Sequence, residues 1–276
     1  MSRFILMTWD CIVVGGGAAG LSAALVLGRA RRRTLVIDAG RQSNLPAHGI
    51  GGLLGQDGRP PADFYADARA ELTQYPTVEV RAGEVVDGEP GFTLTLADGT
   101  TEAAQRVVLA TGMDYRYPDV PGVAERWGKT AFHCPFCHGW EVRDRPLFVL
   151  DPSEFGPPRE QMLGAWSDDV TLLTEPPLEL RDDEIVLADG STRPCGGLMI
   201  AVKLHQRDKL AARLGAEAAE PNMVVADALQ VDTKFATTVP GLYAAGDLVT
   251  SAPSVASSIA AGAMAAAMAV HSLMLD

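Results

Sequence analysis

An α/β fold of two units, the first of them discontinuous, is predicted by three features of the sequence. Cys11-Ile-Val-Val is an apolar run followed at once by Gly15-Gly-Gly-Ala-Ala-Gly20 and by an Ala/Leu-rich stretch of helical spacing to Leu27; it reads as strand, tight turn and helix. A second apolar strand, Thr34-Leu-Val-Ile, ends at Asp38, eighteen residues beyond Gly20, which is the size of a nucleotide-binding βαβ unit. Far downstream, Thr237 to Leu248 reads as a strand ending in Gly-Asp and Ser254 to Leu275 as a terminal helix, so the C-terminal segment completes the first unit.

The elements between follow the same logic. Asn44 to Pro61 is rich in Gly, Pro and His without periodicity and reads as a loop, after which Ala62 to Leu72 resumes a helical pattern. Strand-like alternation returns at Val78-Glu-Val-Arg and Phe92-Thr-Leu-Thr-Leu, with Ala97-Asp-Gly-Thr100 as a hairpin turn. The strand Arg106 to Ala110 leads into Thr111-Gly112. After Tyr117-Pro118 and Pro121-Gly122 the character changes, which places a domain crossing near residue 115. From there to about 235 the chain carries strands at Pro146 to Leu150 and Val170 to Leu173 and a polar hairpin from Ile185 to Thr192. This is a second, smaller α/β unit.

Composition excludes several classes. With 276 residues, 47% hydrophobic and 21% charged, the chain can bury a substantial core, and disorder is excluded as its main state. Its net charge of −12 repels polyphosphate, and the one dense basic run, Arg29 with Arg31 to Arg33, reads as cations at the end of a helix, so nucleic acid is not an expected partner. The apolar start, Phe4 to Met7, is interrupted by Thr8 and Asp10 and does not form an export signal; a cytoplasmic location is expected. Ile259 to Val270 is shorter than the ~18 residues of a membrane span and reads as a closely packed helix, with Met264 and Met268 as core. Four cysteines are too few for a disulfide scaffold.

The glycines carry chemistry by what they lack. Gly15, Gly17 and Gly20 allow a tight turn, close approach of a pyrophosphate and close helix–strand packing, while the free N–H groups of the helix face the phosphates. Asp38 then accepts ribose hydroxyls and disfavours a 2′-phosphate. The other informative segment is His133-Cys134-Pro-Phe-Cys137-His138-Gly. A C-x-x-C at a helix N-terminus lowers a thiol pKa from ~8.5 toward neutrality and closes reversibly to a disulfide. Half of a zinc site is the competing reading; it lacks a second C-x-x-C or an H-x-x-x-H, and His133 and His138 flank the motif too closely for a tetrahedral set, so no metal site is expected. Cys11 reads as a buried hydrophobe and Cys195 as a turn thiol without a catalytic role.

Gly15–Gly20, Asp38, Ala110-Thr111-Gly112 and Gly241-Leu-Tyr-Ala-Ala-Gly-Asp247 together resemble the FAD domain of flavoprotein disulfide reductases, the low-molecular-weight thioredoxin reductases in particular. The resemblance implies two Rossmann-like (FAD/NAD(P)-binding) domains: a discontinuous FAD domain, 1–115 with 236–276, and a shortened second domain, 116–235, that carries the C-x-x-C. It implies FAD held by Gly15, Gly17, Ala18, Ala19, Gly20, Asp38, Ala39, Asn44, Val86, Ala110, Thr111, Gly112, Gly246, Asp247, Ser254 and Val255, the last two opening a helix toward the flavin pyrimidine edge. It further implies that Cys137 faces the flavin, that Cys134 exchanges with substrate, and that the protein is a homodimer.

Two departures refine the expectation. Thioredoxin reductases carry Asp after the second cysteine, whereas Cys-x-x-Cys-His-Gly resembles the FAD-dependent dithiol oxidases of the gliotoxin and holomycin type. An imidazole titrates near neutrality and can take a proton from an incoming thiol, so His138 is a candidate catalytic base beside Cys134 and Cys137; a His that only packs is the alternative. The second departure lies where NADPH should bind. The strand Leu147 to Leu150 runs into Asp151-Pro-Ser-Glu-Phe-Gly-Pro-Pro158, with no glycine triad, prolines without N–H donors, and acids where phosphate would sit. The expected activity is therefore oxidation of a small dithiol to a disulfide with O2 as acceptor. A thioredoxin reductase-like enzyme acting on a disulfide or a thioredoxin-like protein, fed by atypically bound NADPH, ferredoxin or another flavin, is the alternative, and a non-enzymatic redox sensor is a third.

Overall fold

The structure, a computed structural model, describes residues 8–275, so Phe4–Met7 lies outside the described residues. Packing divides the chain into two compact units. The first contains the chain up to Ser43, Ala62–Asp114 and the chain from Leu204; the second contains Asn44–Pro61 and Tyr115–Lys203.

The first unit is built on strands β1 (Trp9–Val14), β2 (Thr34–Asp38), β3 (Val78–Ala82), β4 (Val85–Glu89), β5 (Thr93–Leu96) and β6 (Thr101–Leu109), in the order β3-β2-β1-β6-β5-β4. β1, β2, β3 and β6 run parallel, and Cys11–Val14 and Thr34–Asp38 are buried without interruption, as strands covered on both faces must be. β4 and β5 are antiparallel, and β5 alternates half-buried Thr with buried Leu, the mark of a sheet with one wet face. The C-terminal segment adds Leu242–Ala244, parallel to Val107–Leu109 of β6.

That last strand is shorter than the Thr237–Leu248 expected. Val239-Pro-Gly forms a turn closed by the Leu242 N–H on the Val239 carbonyl, and Thr237 Oγ1 donates to the Leu242 carbonyl at 3.0 Å. Gly246 then takes φ +78° and opens a short 3-10 turn over Gly246–Val249. Residues 204–235, expected with the second domain, pack with the first unit; Leu210 and Leu214 press against Gly88 of β4, where a Cβ would stand 2.9 Å from each.

Helix α1 (Ala18–Arg29) lies along the terminal helix Val255–Leu273. The terminal helix is 19 residues long with mean hydropathy 1.4, apolar enough by length and composition to cross a membrane. Its small face, Ser258, Ala261, Gly262, Ala265, Ala266 and Ala269, is nevertheless buried in the core that α1 shares, as in a core helix. A Cβ on Gly262 would lie 2.0 Å from the Ala19 carbonyl oxygen, and Ser22 Oγ donates to the Ile259 carbonyl at 2.8 Å. Met264 points off this face and is 47% exposed, contrary to its expected core role, while Met268 is half-buried against the core.

The second unit has a four-stranded parallel sheet in the order Val170–Leu173, Leu147–Leu150, Gly197–Ile200, Ala131–Phe132, with helix Gly156–Leu163 as the crossover from Leu147–Leu150 to its edge neighbour Val170–Leu173. A three-stranded antiparallel ribbon, Glu179–Leu180, Glu184–Val186 and Thr192–Pro194, contains the polar hairpin. Phe132, Leu147, Val149, Leu163 and Met199 pack one face of the sheet and Phe148, Leu150, Leu198 and Ile200 the other.

Because Gly262 meets backbone that cannot yield, Gly262→Ala is expected to destabilise the protein by about 1–3 kcal/mol, read as a lower midpoint in denaturant unfolding. The neighbouring Ala261→Gly is expected to cost less.

Candidate functional site

At the carboxyl end of the parallel strands the first unit gathers the residues expected to hold a dinucleotide. Gly15 takes φ +108°, and a Cβ there would lie 2.2 Å from the Ala110 carbonyl oxygen; the end of β1 thus lies against Ala110-Thr111-Gly112 at the end of β6. A Cβ on Gly20 would meet the Gly15 carbonyl oxygen at 1.8 Å, which fixes the close seating of α1 on the turn. At Gly17 the nearest atom to such a Cβ is 3.7 Å away, so this glycine faces open space. It is also the N-cap of α1 and offers no capping side chain, and Ala18 and Ala19 bring none, leaving first-turn N–H groups for a ligand oxygen. The cradle fits a pyrophosphate.

Asp38 ends β2 buried, with its carboxylate fully engaged. Gly40 N–H donates to it at 2.9 Å, Gln42 Nε2 at 3.0 Å and Arg69 at 2.6 Å. Burial alone would raise this carboxyl; the Arg69 hydrogen bond and charge, with the N–H groups of Gly40 and Gly16, outweigh it and hold the group below the usual carboxylate range. Gly16 is a residue that the fingerprint alone does not single out: a Cβ there would stand 2.4 Å from the Asp38 carboxyl carbon. Ala39 lines the cavity beside Asp38 with Gly83 and Glu84, and Val86 follows on β4, 45% exposed, its carbonyl accepting from Arg213.

The C-terminal residues close the same end of the sheet. Gly246 sits where a Cβ would be 3.0 Å from Ala19, and Ser258 Oγ donates to Asp247 at 3.4 Å. Ser254 caps the terminal helix, accepting the Ser257 N–H at 3.0 Å in a reciprocal capping box, and Val255 is the first helical residue. Arg207, unnoticed in the sequence, donates to Ser43 Oγ at 2.8 Å and to the Met113 carbonyl at 3.3 Å, tying the turn after Asp38 to the strand end after Gly112. Asn44 lies in the second unit, where its carbonyl accepts the Ala47 N–H.

The second unit carries the thiols. Ala131–Phe132 is a short strand, Cys134 caps a single helical turn, Pro135–His138, and Gly139 follows. Phe132 is fully buried and stacks on the His138 ring at 5.6 Å, anchoring the segment from below. Gly139 has no room for a side chain, since a Cβ would stand 2.8 Å from the Trp166 ring. Gly51, from the loop 44–61, packs on the backbone of Cys137, a Cβ there meeting its carbonyl oxygen at 2.3 Å. Sequence gave no signal for Trp166 or Gly51, because both reach the motif only through the fold.

Both thiols are free and half-buried. The Cys137 thiol donates to Cys134, which lowers Cys134 to about 7 against the opposing effect of burial; the N–H groups of Cys137 and Phe136 add to the lowering. The donor, Cys137, is pushed up by the same hydrogen bond and by burial. The acidity of Cys134 thus comes from its partner more than from the one-turn helix. His138 is lowered by burial although the Cys134 carbonyl and Glu141 favour its cation, and neither ring nitrogen makes a hydrogen bond of normal geometry. It is therefore a neutral imidazole with a lone pair available beside the dithiol. His133 is lowered to about 4 by burial and by the charge of His138, and packs on Tyr115 and Trp127. Burial pushes Cys11 up to about 12 and Cys195 to about 11, which makes both inert. Among the described residues no group of three or more His, Cys, Asp or Glu could hold a metal ion.

The second unit's own strand–helix turn is filled from within. Asp151, 2% exposed, follows Leu147–Leu150, accepts the Ser153 N–H at 2.9 Å and Ser153 Oγ at 2.7 Å, and forms an ion pair with Arg159 of the next helix.

Comparison with known proteins gives one consistent neighbourhood. Pyridine nucleotide-disulphide oxidoreductase is the family matched, over residues 9–151. Thioredoxin reductase aclD of Aspergillus oryzae is 30% identical, with 97% of each chain covered. Two further curated relatives are matched over only 38% and 48% of their own length. Among solved structures, an oxidoreductase from Agrobacterium tumefaciens is 34% identical with TM-score 0.91, covering 98% of this chain and 99% of that one. HlmI is 35% identical with TM-score 0.86, covering 98% and 93%.

Two measurements check the site electrostatics. Alkylation of the reduced protein by iodoacetamide is expected to rise with a midpoint near pH 7 at Cys134, and Cys137→Ala is expected to move that midpoint upward by removing the donor. Because His133 is depressed in the folded protein, its contribution to stability is complete above its unfolded pKa of ~6.5 and is lost as pH falls toward 4. Unfolding free energy measured from pH 7 to pH 4 is expected to fall less in His133→Phe than in the wild type.

Proposed function

The chain belongs to the pyridine nucleotide-disulphide oxidoreductase family, and on that premise we propose that its Cys134–Cys137 pair oxidises a small dithiol to a disulfide, with O2 as final acceptor and without NADPH bound in the usual mode. The thioredoxin reductases to which it is similar are FAD flavoproteins, and FAD, held by the first unit, supplies two-electron acceptance and reoxidation by oxygen.

The residues of this chain carry the sulfur chemistry. A substrate thiol gives its proton to the free ring nitrogen of His138, and its thiolate attacks Cys134 of the Cys134–Cys137 disulfide, releasing Cys137 as thiolate. His138 passes that proton to Cys137, and the second substrate thiol, giving its own proton to His138, attacks the substrate sulfur now joined to Cys134 and expels Cys134 as a thiolate, which takes the proton back from His138. Substrate leaves as a disulfide, and the protein holds two thiols and the two electrons gained. Cys134 suits the leaving role because its pKa is lowered to about 7, and a low-pKa thiol leaves faster.

The observation that carries this direction of turnover is the buried Asp151–Arg159 pair. A Rossmann-type turn binds phosphate with free N–H groups at a helix start; here the Asp151 carboxylate already takes the Ser153 N–H of the turn and pairs with Arg159, and two prolines, Pro157 and Pro158, stand in the first turn of the helix. The neutral state of His138 supports it further. A second reading, a disulfide reductase acting on a small disulfide or a thioredoxin-like protein, is favoured by the full-length likeness to aclD, since a Cys134 thiolate attacks as readily as it leaves. A cytoplasmic homodimer completes the proposal on the resemblance alone.

Anaerobic titration separates the readings. Dithiothreitol is expected to bleach the flavin and NADPH to leave it oxidised, with oxygen consumed on readmission of air. Rapid bleaching by NADPH would overturn the oxidase reading in favour of the reductase. Cys134→Ser is expected to abolish turnover, and His138→Phe to slow it by about 10²-fold or more without loss of bound flavin.

A further inference from the structure

The Asp38 carboxylate, on the reading that it accepts the ribose of FAD, raises a question of geometry. A buried carboxylate with free rotation could satisfy itself on backbone N–H groups and turn away from a ligand. In this protein one of its oxygens, Oδ2, is taken by the Arg69 guanidinium at 2.6 Å, while Oδ1 accepts the Gly40 N–H at 2.9 Å, and the Gln42 amide bridges the two, 3.0 Å from Oδ1 and 3.2 Å from Oδ2. Arg69 comes from the last turn of helix α2 (Pro61–Leu72). Its side chain is 34% exposed against 9% for Asp38, so the cation forms the open rim and the acid the floor.

Both residues line one cavity of about 630 Å³, whose other walls are Ala39, Val80, Ala82 and Gly83, with Glu84 at its edge. Small apolar walls with a few converging polar groups are what a flat aromatic base and its sugar require. The carboxylate and guanidinium are the charged groups with a hydrogen bond to each other there; Glu84 is held instead by Arg41 at 2.5 Å. We propose that Arg69 is a positioning residue for the adenosine end of FAD: it pins one oxygen of Asp38 and thereby presents the other to the ribose 2′-hydroxyl, Gln42 giving way. The guanidinium makes this bond through one nitrogen, in a direction fixed by its plane, whereas a Lys ammonium is a rotating point charge. The proposal deepens the cofactor reading and depends on it.

The test is displacement of FAD from the purified holoprotein, followed by the rise in flavin fluorescence, with ADP and 2′-deoxy-ADP as competitors. In the wild type, ADP is expected to displace FAD at concentrations about tenfold or more below 2′-deoxy-ADP, the difference a hydrogen bond to a charged group makes. In Arg69→Ala that ratio is expected to fall toward one, with FAD itself held about tenfold less tightly. Arg69→Lys is expected to recover part of the affinity for FAD but not the ratio, and it decides the matter if Arg69→Ala fails to fold. A merely structural role would lower the thermal midpoint and leave the ratio intact, so a wild-type ratio persisting in both variants overturns the proposal. A wild-type ratio of one removes the ribose role of Asp38, and the role of Arg69 with it, while leaving the dithiol chemistry of Cys134 and Cys137 untouched.

Discussion

The first unit depends on a close backbone approach at the end of β1. Gly15 lies against the Ala110 carbonyl and Gly20 against that of Gly15, at separations where no Cβ fits. These contacts bring three chain segments, the ends of β1 and β6 and the start of α1, to one point with no side chain between them. The consequence is electrical as well as steric: the uncapped first turn of α1 faces a gap rather than a wall. The same demand for smallness propagates outward, since the terminal helix reaches α1 only because Gly262 lies on Ala19, and Gly246 in turn lies on Ala19 from the other side. Substituting any of these glycines would shift the others' partners, so packing and binding share one constraint.

In the second unit the governing interaction is the hydrogen bond between the two sulfurs. Cys134 is acidic chiefly because the Cys137 thiol donates to it. Acidity at one sulfur is therefore obtained by making the other a poor acid. Such a pair is asymmetric before any substrate arrives, one thiol near neutrality and its neighbour protonated. The neutral His138, stacked on Phe132 and without a hydrogen bond of normal geometry on either ring nitrogen, adds a proton acceptor without adding charge. A residue such as Asp at that position would add a negative charge and raise both thiols.

What the sequence disclosed and what it did not divide along the range of the interactions. β1, α1 and β2, the Gly-rich turn, the hairpin at Ala97–Thr100 and the crossing near residue 115 are all encoded within a few residues, by apolar runs and turn chemistry. The two-oxygen engagement of Asp38 was not, because Arg69 stands thirty-one positions away on a helix whose pattern only says that it is amphipathic. The need for Gly16 is not legible in the sequence either, because it arises from the Asp38 side chain that lies over it. The strand at Thr237–Leu248 was overread because an apolar run does not reveal that Thr237 will take the carbonyl its ladder needs. Met264 was overread for a related reason: helical spacing identifies a face, but only the partner helix decides which face is covered.

Asp151 shows how far local chemistry can support a functional reading. A phosphate entering that turn would have to displace a carboxylate already paired with Arg159 and hydrogen-bonded to Ser153, or take its place beside it. The first breaks a buried ion pair, which costs about 3–5 kcal/mol; the second puts two anions in contact around a single guanidinium. Glycine-rich turns avoid both by offering N–H groups and no side chain, and the chain has spent that vacancy on its own structure. The same carboxylate holds Arg159 of the short helix Gly156–Leu163 to the end of strand Leu147–Leu150. On the proposed reading, weak nucleotide affinity and retention of the fold are two effects of the same ion pair. That reading takes the electrons from what the thiols touch.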